Sequence, residues 1–159
     1  MEKETMRGQW KIEAVDAKTG EILQVFEFPN MLMKINQTIR DQMLMGTYTG
    51  AKTAVNIKYF AFGTGTTNPT ENDTQLVAEM YRKQVTQKTN PTAGNVRSIC
   101  SIGANEANFF IQELGVFAGD SANDTPDSGT LISRVLFSYN KNSNIILNVV
   151  RDDFCTIGG

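Results

Sequence analysis

The sequence predicts a mainly β fold: a single-domain antiparallel β-sandwich of jelly-roll type with two short helices, spanning residues 1–159. Three observations carry that prediction. Several short runs alternate apolar and polar residues with period two, the mark of half-buried strands. Turn-forming clusters such as "NPTAGN", "ANEAN" and "NKNSN" separate those runs, as antiparallel neighbours require and parallel α/β units do not. Finally, 159 residues with 40% hydrophobic and 20% charged composition suffice for one core without a disulfide or metal framework.

The first section covers about residues 8–46. In "QWKIEAV", Trp10, Ile12 and Ala14 alternate with Lys11 and Glu13, and "DAKTGE" offers Gly20 as the bend before the β-rich "ILQVFEF". A hairpin results. After Pro29, Asn30 is placed to cap a helix whose Leu32, Ile35, Ile39 and Met43 recur at three- and four-residue spacing, ending at Gly46. Methionines 31, 33, 43 and 45 fit a core or a subunit contact.

The second section, about 55–82, begins with the strand "VNIKYFAF" and enters "GTGTTNPTEN". Asp73 or Thr74 can cap a second helix, with Leu76, Val77, Met80 and Tyr81 as its apolar stripe. The remainder, about 83–155, reads as five strands, "KQVTQKT", "NVRSICSIG", "NFFIQELGVFA", "TLISRVLFSYN" and "NIILNVVRDD", with one long polar loop at 119–129.

Charge and composition exclude several functions. A net charge of −2 provides no basic footprint for nucleic acid. No apolar run approaches the roughly 20 residues of a membrane span, and the N-terminus lacks a signal-peptide core. The expected location is the cytoplasm, unless the protein leaves it as part of something larger. The chain has no histidine and only two cysteines, Cys100 and Cys155. That removes the usual general base, the histidine-dependent nucleophiles and a zinc site. No catalytic residue, cofactor or metal is expected.

Some residues still invite a chemical reading. Gly63 and Gly65 could belong to a phosphate loop, but no lysine follows before Lys83 and no βαβ unit surrounds them. A strand-to-helix connector accounts for them better. Glu79, Arg82, Glu113 and Arg134 interrupt apolar patterns. Glu79 and Glu113 could form a glycosidase pair, whereas Glu–Arg pairing within or between subunits is the plainer account. Asp152 and Asp153 suggest calcium or an exposed strand end. The aromatics suggest a sugar platform or, more simply, core.

The order of these motifs adds information. "VNIKYFAFGTGTTNPTENDTQLVAEMYRKQVT", then "NFFIQELGVFAG", then "GTLISRVLF" resemble a pattern in structural proteins of tailed bacteriophages, and the N-terminal hairpin and helix resemble its opening part. The matching positions are Gly63, Gly65, Leu76, Glu79, Arg82, Glu113, Gly115, Gly129, Leu131 and Arg134. The resemblance implies a virion protein of the tail, baseplate, collar or fibre attachment that acts by assembly. Its implied partners are copies of itself, in a cyclic homo-oligomer, and other tail or neck proteins, with neither nucleic acid nor membrane. Because little follows the last strand, a ring, adaptor or decoration subunit is expected before a host-recognition protein. A carbohydrate- or host-surface-binding module is the alternative.

Overall fold

The computed structural model describes residues 3–51 and 54–158. The protein is mainly β, with nine strands and one helix among the described residues. The strands are β1 (Lys3–Asp16), β2 (Ile22–Leu32), β3 (Ile57–Gly63), β4 (Glu79–Gln84), β5 (Gln87–Thr92), β6 (Asn95–Ile102), β7 (Phe110–Ala118), β8 (Thr130–Asn140) and β9 (Ile145–Gly158). Helix α1 is Lys34–Met45. Hydrogen bonding joins the strands in one order, β4-β3-β7-β8-β2-β1-β9-β6-β5, in place of the two separate sheets expected of a jelly roll. The reason is β2, long enough to pair with β1 over residues 22–30 and with β8 through Met31 and Leu32. The chain forms two compact units that divide at this strand.

The first unit contains residues 1–30, 85–109 and 140–159. Its hairpin is as the alternation predicts, with Trp10, Ile12 and Ala14 buried. Asp16 builds the turn: its carboxylate accepts the N–H groups of Lys18 and Thr19, each at 2.8 Å, and Gly20 takes φ +75°. Those backbone donors hold the Asp16 carboxyl below its ordinary range. Strands β1 and β9 pair along 14 residues, and the buried face continues through Leu147, Val149, Cys100 and Ile102. Arg151 is buried on this face beneath the Trp10 ring, 5.3 Å from its centroid, and bonds Asp153 at 2.6 and 2.9 Å. Lys141 is buried too, donating to the Gly103 carbonyl and the Asn108 side chain at 2.8 and 2.9 Å. Burial holds its pKa below the ordinary lysine value.

The second unit contains residues 31–84 and 110–139. Met33, Tyr59, Ala61, Leu76, Phe117, Ala122 and Leu131 form its core. Asn30 does not cap α1, because β2 runs through Pro29 to Leu32 and the helix starts at Lys34. Backbone groups serve instead: the Lys34 N–H donates to the Glu71 carbonyl at 2.8 Å. The Asn36 side chain ties the Met33 carbonyl to the Ile132 carbonyl. Gly46 ends the helix in the left-handed conformation, as expected.

The second predicted helix is a correction. Residues 79–84 are the strand β4, and Asp73 and Thr74 lie in the loop before it. The pairing explains the misleading spacing. Phe62 faces Tyr81 while Gly63 faces Glu79, so Met80 is an extra residue in β4. In a regular strand, residues three apart point to opposite faces. The bulge at Met80 removes that inversion and brings Glu79 and Arg82 to one side, imitating a helical repeat.

Candidate functional site

The glycine loop closes around a carboxylate of the protein itself. Glu113 faces Gly63 across the β3–β7 pairing and is completely buried. Its Oε1 accepts the N–H groups of Gly65 and Ala78 at 3.0 and 2.8 Å. Its Oε2 accepts the Val77 N–H at 3.1 Å and Arg134 Nε at 2.9 Å. A Cβ on Gly63 or Gly65 would lie 2.6 or 2.5 Å from Glu113 Oε1, so only glycine lets the backbone approach so closely. The sequence "GTGTT" therefore cradles an anion, but the anion is Glu113 rather than phosphate. It connects strand to strand, not strand to helix. Gly65→Ala is expected to cost about 1–3 kcal/mol by overpacking, read as a lowered urea midpoint with unchanged slope. An unchanged midpoint would show that the loop can step aside.

Arg134 holds the far side of the same loop. Besides Glu113, it donates from Nη1 to Asp73 and from Nη2 to the Thr67 carbonyl, at 2.8 and 2.9 Å. Asp73 is itself fixed by the Thr70 N–H and hydroxyl at 3.1 and 2.7 Å. Burial alone would raise the Asp73 pKa, but these bonds outweigh it and hold the carboxyl below its ordinary value. Leu76 is buried over Gly115, where a Cβ would stand 2.7 Å from its Cδ2 and 3.1 Å from Leu131 Cδ1. Gly63, Gly65, Leu76, Glu113, Gly115, Leu131 and Arg134 thus meet in one cluster.

Glu79 and Arg82 form a second clamp. Arg82 Nε and Nη2 grip the two Glu79 oxygens at 2.5 and 2.8 Å. Nη1 donates to the carbonyls of Asn123 and Ser128 and to the Ser128 hydroxyl, at 2.9–3.1 Å. The guanidinium also lies 4.4 Å from the centroid of the Phe117 ring, a favourable cation–aromatic placement. Glu79 accepts the Asp127 N–H at 2.9 Å, and Tyr59 donates its hydroxyl to Asp124 at 3.0 Å. Burial and that Asp124 bond raise the Tyr59 pKa. The 119–129 loop is therefore fixed from within the chain, its ends formed by Gly119 and Gly129 at φ +89° and +87°.

Asp127 is the strained member of this clamp. It has φ +60°, and burial followed by the Glu79 charge raises its pKa. A raised carboxyl pKa means that the folded state keeps the proton longer than the unfolded chain. Stability is then lost as pH rises from the unfolded towards the folded pKa. Asp127→Asn suits the left-handed backbone and removes the charge. At pH 7 it is expected to gain a few tenths of a kcal/mol, the scale of exposed charge effects, and the gain should vanish below the carboxylate range. A thermal melt series across pH checks it; an equal gain at every pH would refute the electrostatic cause.

Glu79 and Glu113 are each engaged by a different arginine, so they are not a paired acid and base. Asp152 and Asp153 are likewise bonded to Arg97 and Arg151. Among the described residues there is no cluster of three metal-ligating side chains, and no helix is long and apolar enough to cross a membrane. Cys100 is buried and Cys155 exposed.

The family model for the N-terminal part of phage tail-collar fibre proteins matches residues 33–124, more than half of the chain. The chain belongs to the phage tail-collar fibre family. No curated protein and no solved structure matches it. The tail-collar fibre match includes the glycine loop, Glu79, Arg82, Glu113 and Gly115, while Gly129, Leu131 and Arg134 lie beyond its last residue. Tail-collar fibre membership makes this a phage tail structural protein and a virion component. The sequence reading missed Asp73 and Asp127 as partners of the clamps. For Asp73 the signal was present in Thr70–Asp73, a Thr-x-x-Asp spacing that favours reciprocal side-chain to backbone bonding.

Proposed function

We propose that the protein is a non-catalytic assembly subunit of the tail, forming a cyclic homo-oligomer that serves as a ring, adaptor or decoration and contacts neighbouring tail or neck proteins. One observation carries the reading: the charged residues of the motif are engaged in two intramolecular clamps that fix surface loops 64–78 and 119–129. Rigid loops on a β scaffold suit recognition between proteins, and rigidity before binding lowers the entropy lost on assembly. The apolar end of α1 supports self-association, since Met43, Leu44 and Met45 are 47%, 74% and 67% exposed. Of the aromatics that could hold a sugar, Trp10, Tyr59, Phe60, Phe117 and Phe137 are buried, Phe26, Phe28, Phe109 and Tyr139 are half-buried and Phe110 is exposed, which leaves a single fully presented ring and no platform of them. Mass spectrometry of purified particles and sedimentation of the isolated protein test the proposal together. A particle without the protein, or a strictly monomeric protein, would sink it.

A further inference from the structure

Lys141 is a buried cation of a different kind from the arginines. The guanidinium groups of Arg82, Arg134 and Arg151 each meet a carboxylate. Lys141 is 2% exposed, and the acceptors of its Nζ are all uncharged: the Gly103 carbonyl at 2.8 Å, Asn108 Oδ1 at 2.9 Å and, more weakly, the Ala104 carbonyl at 3.4 Å. It forms no ion pair among the described residues. Burial without a counter-ion favours the neutral amine over the ammonium, and the pKa of Lys141 is lowered for that reason. A desolvated lysine amine is a nucleophile.

The group in front of it is an amide held in place. Asn108 turns its carbonyl oxygen to Nζ, while its own N–H₂ donates to the Ala104 carbonyl at 3.0 Å. A C=O bond is about 1.2 Å long, so Cγ lies within about 4 Å of Nζ. Reacting atoms stand ~3–3.5 Å apart, which a small rotation of either side chain reaches. Glu106 supplies a carboxyl in the same turn. Its Oε2 accepts the Gly103 N–H at 2.6 Å, on the residue whose carbonyl receives Nζ, and its charge acts on Lys141.

The geometry points to a modification site: Lys141 and Asn108 join in an intramolecular isopeptide bond, with Glu106 carrying the proton. The Lys141 amine attacks Asn108 Cγ. The Nζ–Cγ bond forms as the Cγ–Nδ2 bond breaks, the proton released from Nζ passes through the Glu106 carboxyl to Nδ2, and ammonia leaves. No oxidant, reductant or further reactant is needed. Asn108 is at the surface, which gives ammonia an exit while the amine stays inside. The position of the bond gives it a use. The chain leaves the first unit after Phe109 and returns to it at Asn140, and the Lys141 N–H donates to the Phe109 carbonyl at 3.2 Å. A link between residues 108 and 141 closes that excursion covalently at its neck, so force that parts the two strands there meets a covalent bond in place of hydrogen bonds. This inference is independent of the assembly role.

Mass spectrometry of the purified full chain decides it. The unfolded wild type is expected to weigh less than its sequence by one ammonia. Trypsin should release residues 98–134 and 135–151 as one branched species, with cleavage after Lys141 blocked. Lys141→Arg and Asn108→Ala should each show their own full sequence mass. Glu106→Gln keeps an acceptor for the Gly103 N–H but cannot carry the proton, so it should form the link about 100-fold more slowly or worse. A wild type at full sequence mass, even after prolonged warming below its melting point, overturns the inference whether or not any variant folds. A deficit that persists in Lys141→Arg, the mark of a succinimide at Asn108 alone, overturns it too. A Glu106→Gln protein that links as fast as the wild type overturns the proton-carrying role.

Discussion

Replacing Glu113 with alanine is expected to destabilise the protein by about 3–5 kcal/mol, the loss typical when one partner of a buried ion pair is removed. For a chain of this size, that lowers the melting temperature by on the order of 10 °C. The carboxylate receives four donors: the N–H groups of Gly65, Val77 and Ala78, and Arg134 Nε. Alanine leaves all four without their acceptor in a place that water reaches poorly, and leaves the Arg134 charge with Asp73 alone. Glu113→Gln keeps the shape but presents an amide N–H₂ towards these donors, so it should recover little of the loss. Hydrogen exchange supplies the local readout. The Gly65, Val77 and Ala78 amides should lose protection first, whereas those of the β1–β9 pairing should not. A Glu113→Ala protein that melts within 2 °C of wild type, with those three amides still protected, would show that the cradle holds without its anion.

Much of this architecture was legible because it rests on local rules. The β1–β2 hairpin follows from the alternation of Trp10, Ile12 and Ala14 and from Gly20 at a positive φ. The end of α1 follows from Gly46. What was hidden is non-local. Asn30 is a good cap by composition, yet pairing with Gly8 of β1 keeps it extended, and the cap role passes to backbone carbonyls. The Leu76, Val77, Met80 and Tyr81 spacing suggested a helix, whereas residues 79–84 pair with β3 as a strand in which one extra residue shifts the period. Pattern reading cannot distinguish a bulge from a turn of helix without the partner strand.

The candidate site was legible in identity but not in pairing. A charge inside an apolar run, such as Glu113 in "FFIQELGVF" or Arg134 in "LISRVLF", signals a buried ionic group, since an unpaired one is costly. Which glutamate meets which arginine depends on strand order, and Glu79 takes Arg82 on its own strand while Glu113 takes Arg134 from β8. The glycines changed most in meaning. Gly63 and Gly65 have the composition of a phosphate loop for a sound physical reason, close approach of backbone donors to an anion. The sequence does not reveal that the anion is internal.

Arg82→Ala is the complementary perturbation, with a comparable expected loss of about 3–5 kcal/mol. The substitution strips Glu79 of its counter-charge, takes one donor from each of the Asn123 and Ser128 carbonyls, and removes the cation from the Phe117 face. Arg82→Lys should recover only part, because one ammonium cannot grip both Glu79 oxygens and reach the 119–129 loop as a planar fork does. Location distinguishes this from a general loss of packing. Arg82→Ala should expose the Asn123 and Asp127 amides, which bond Ser128 and Glu79, and leave those of Gly65, Val77 and Ala78 protected. Glu113→Ala should do the reverse. If each clamp fixes its own loop, the double variant loses the sum of the two within about 0.5 kcal/mol. A shortfall well beyond that, with both loops deprotected by either single change, would mean the loops open as one unit and that the two ion pairs form a single device.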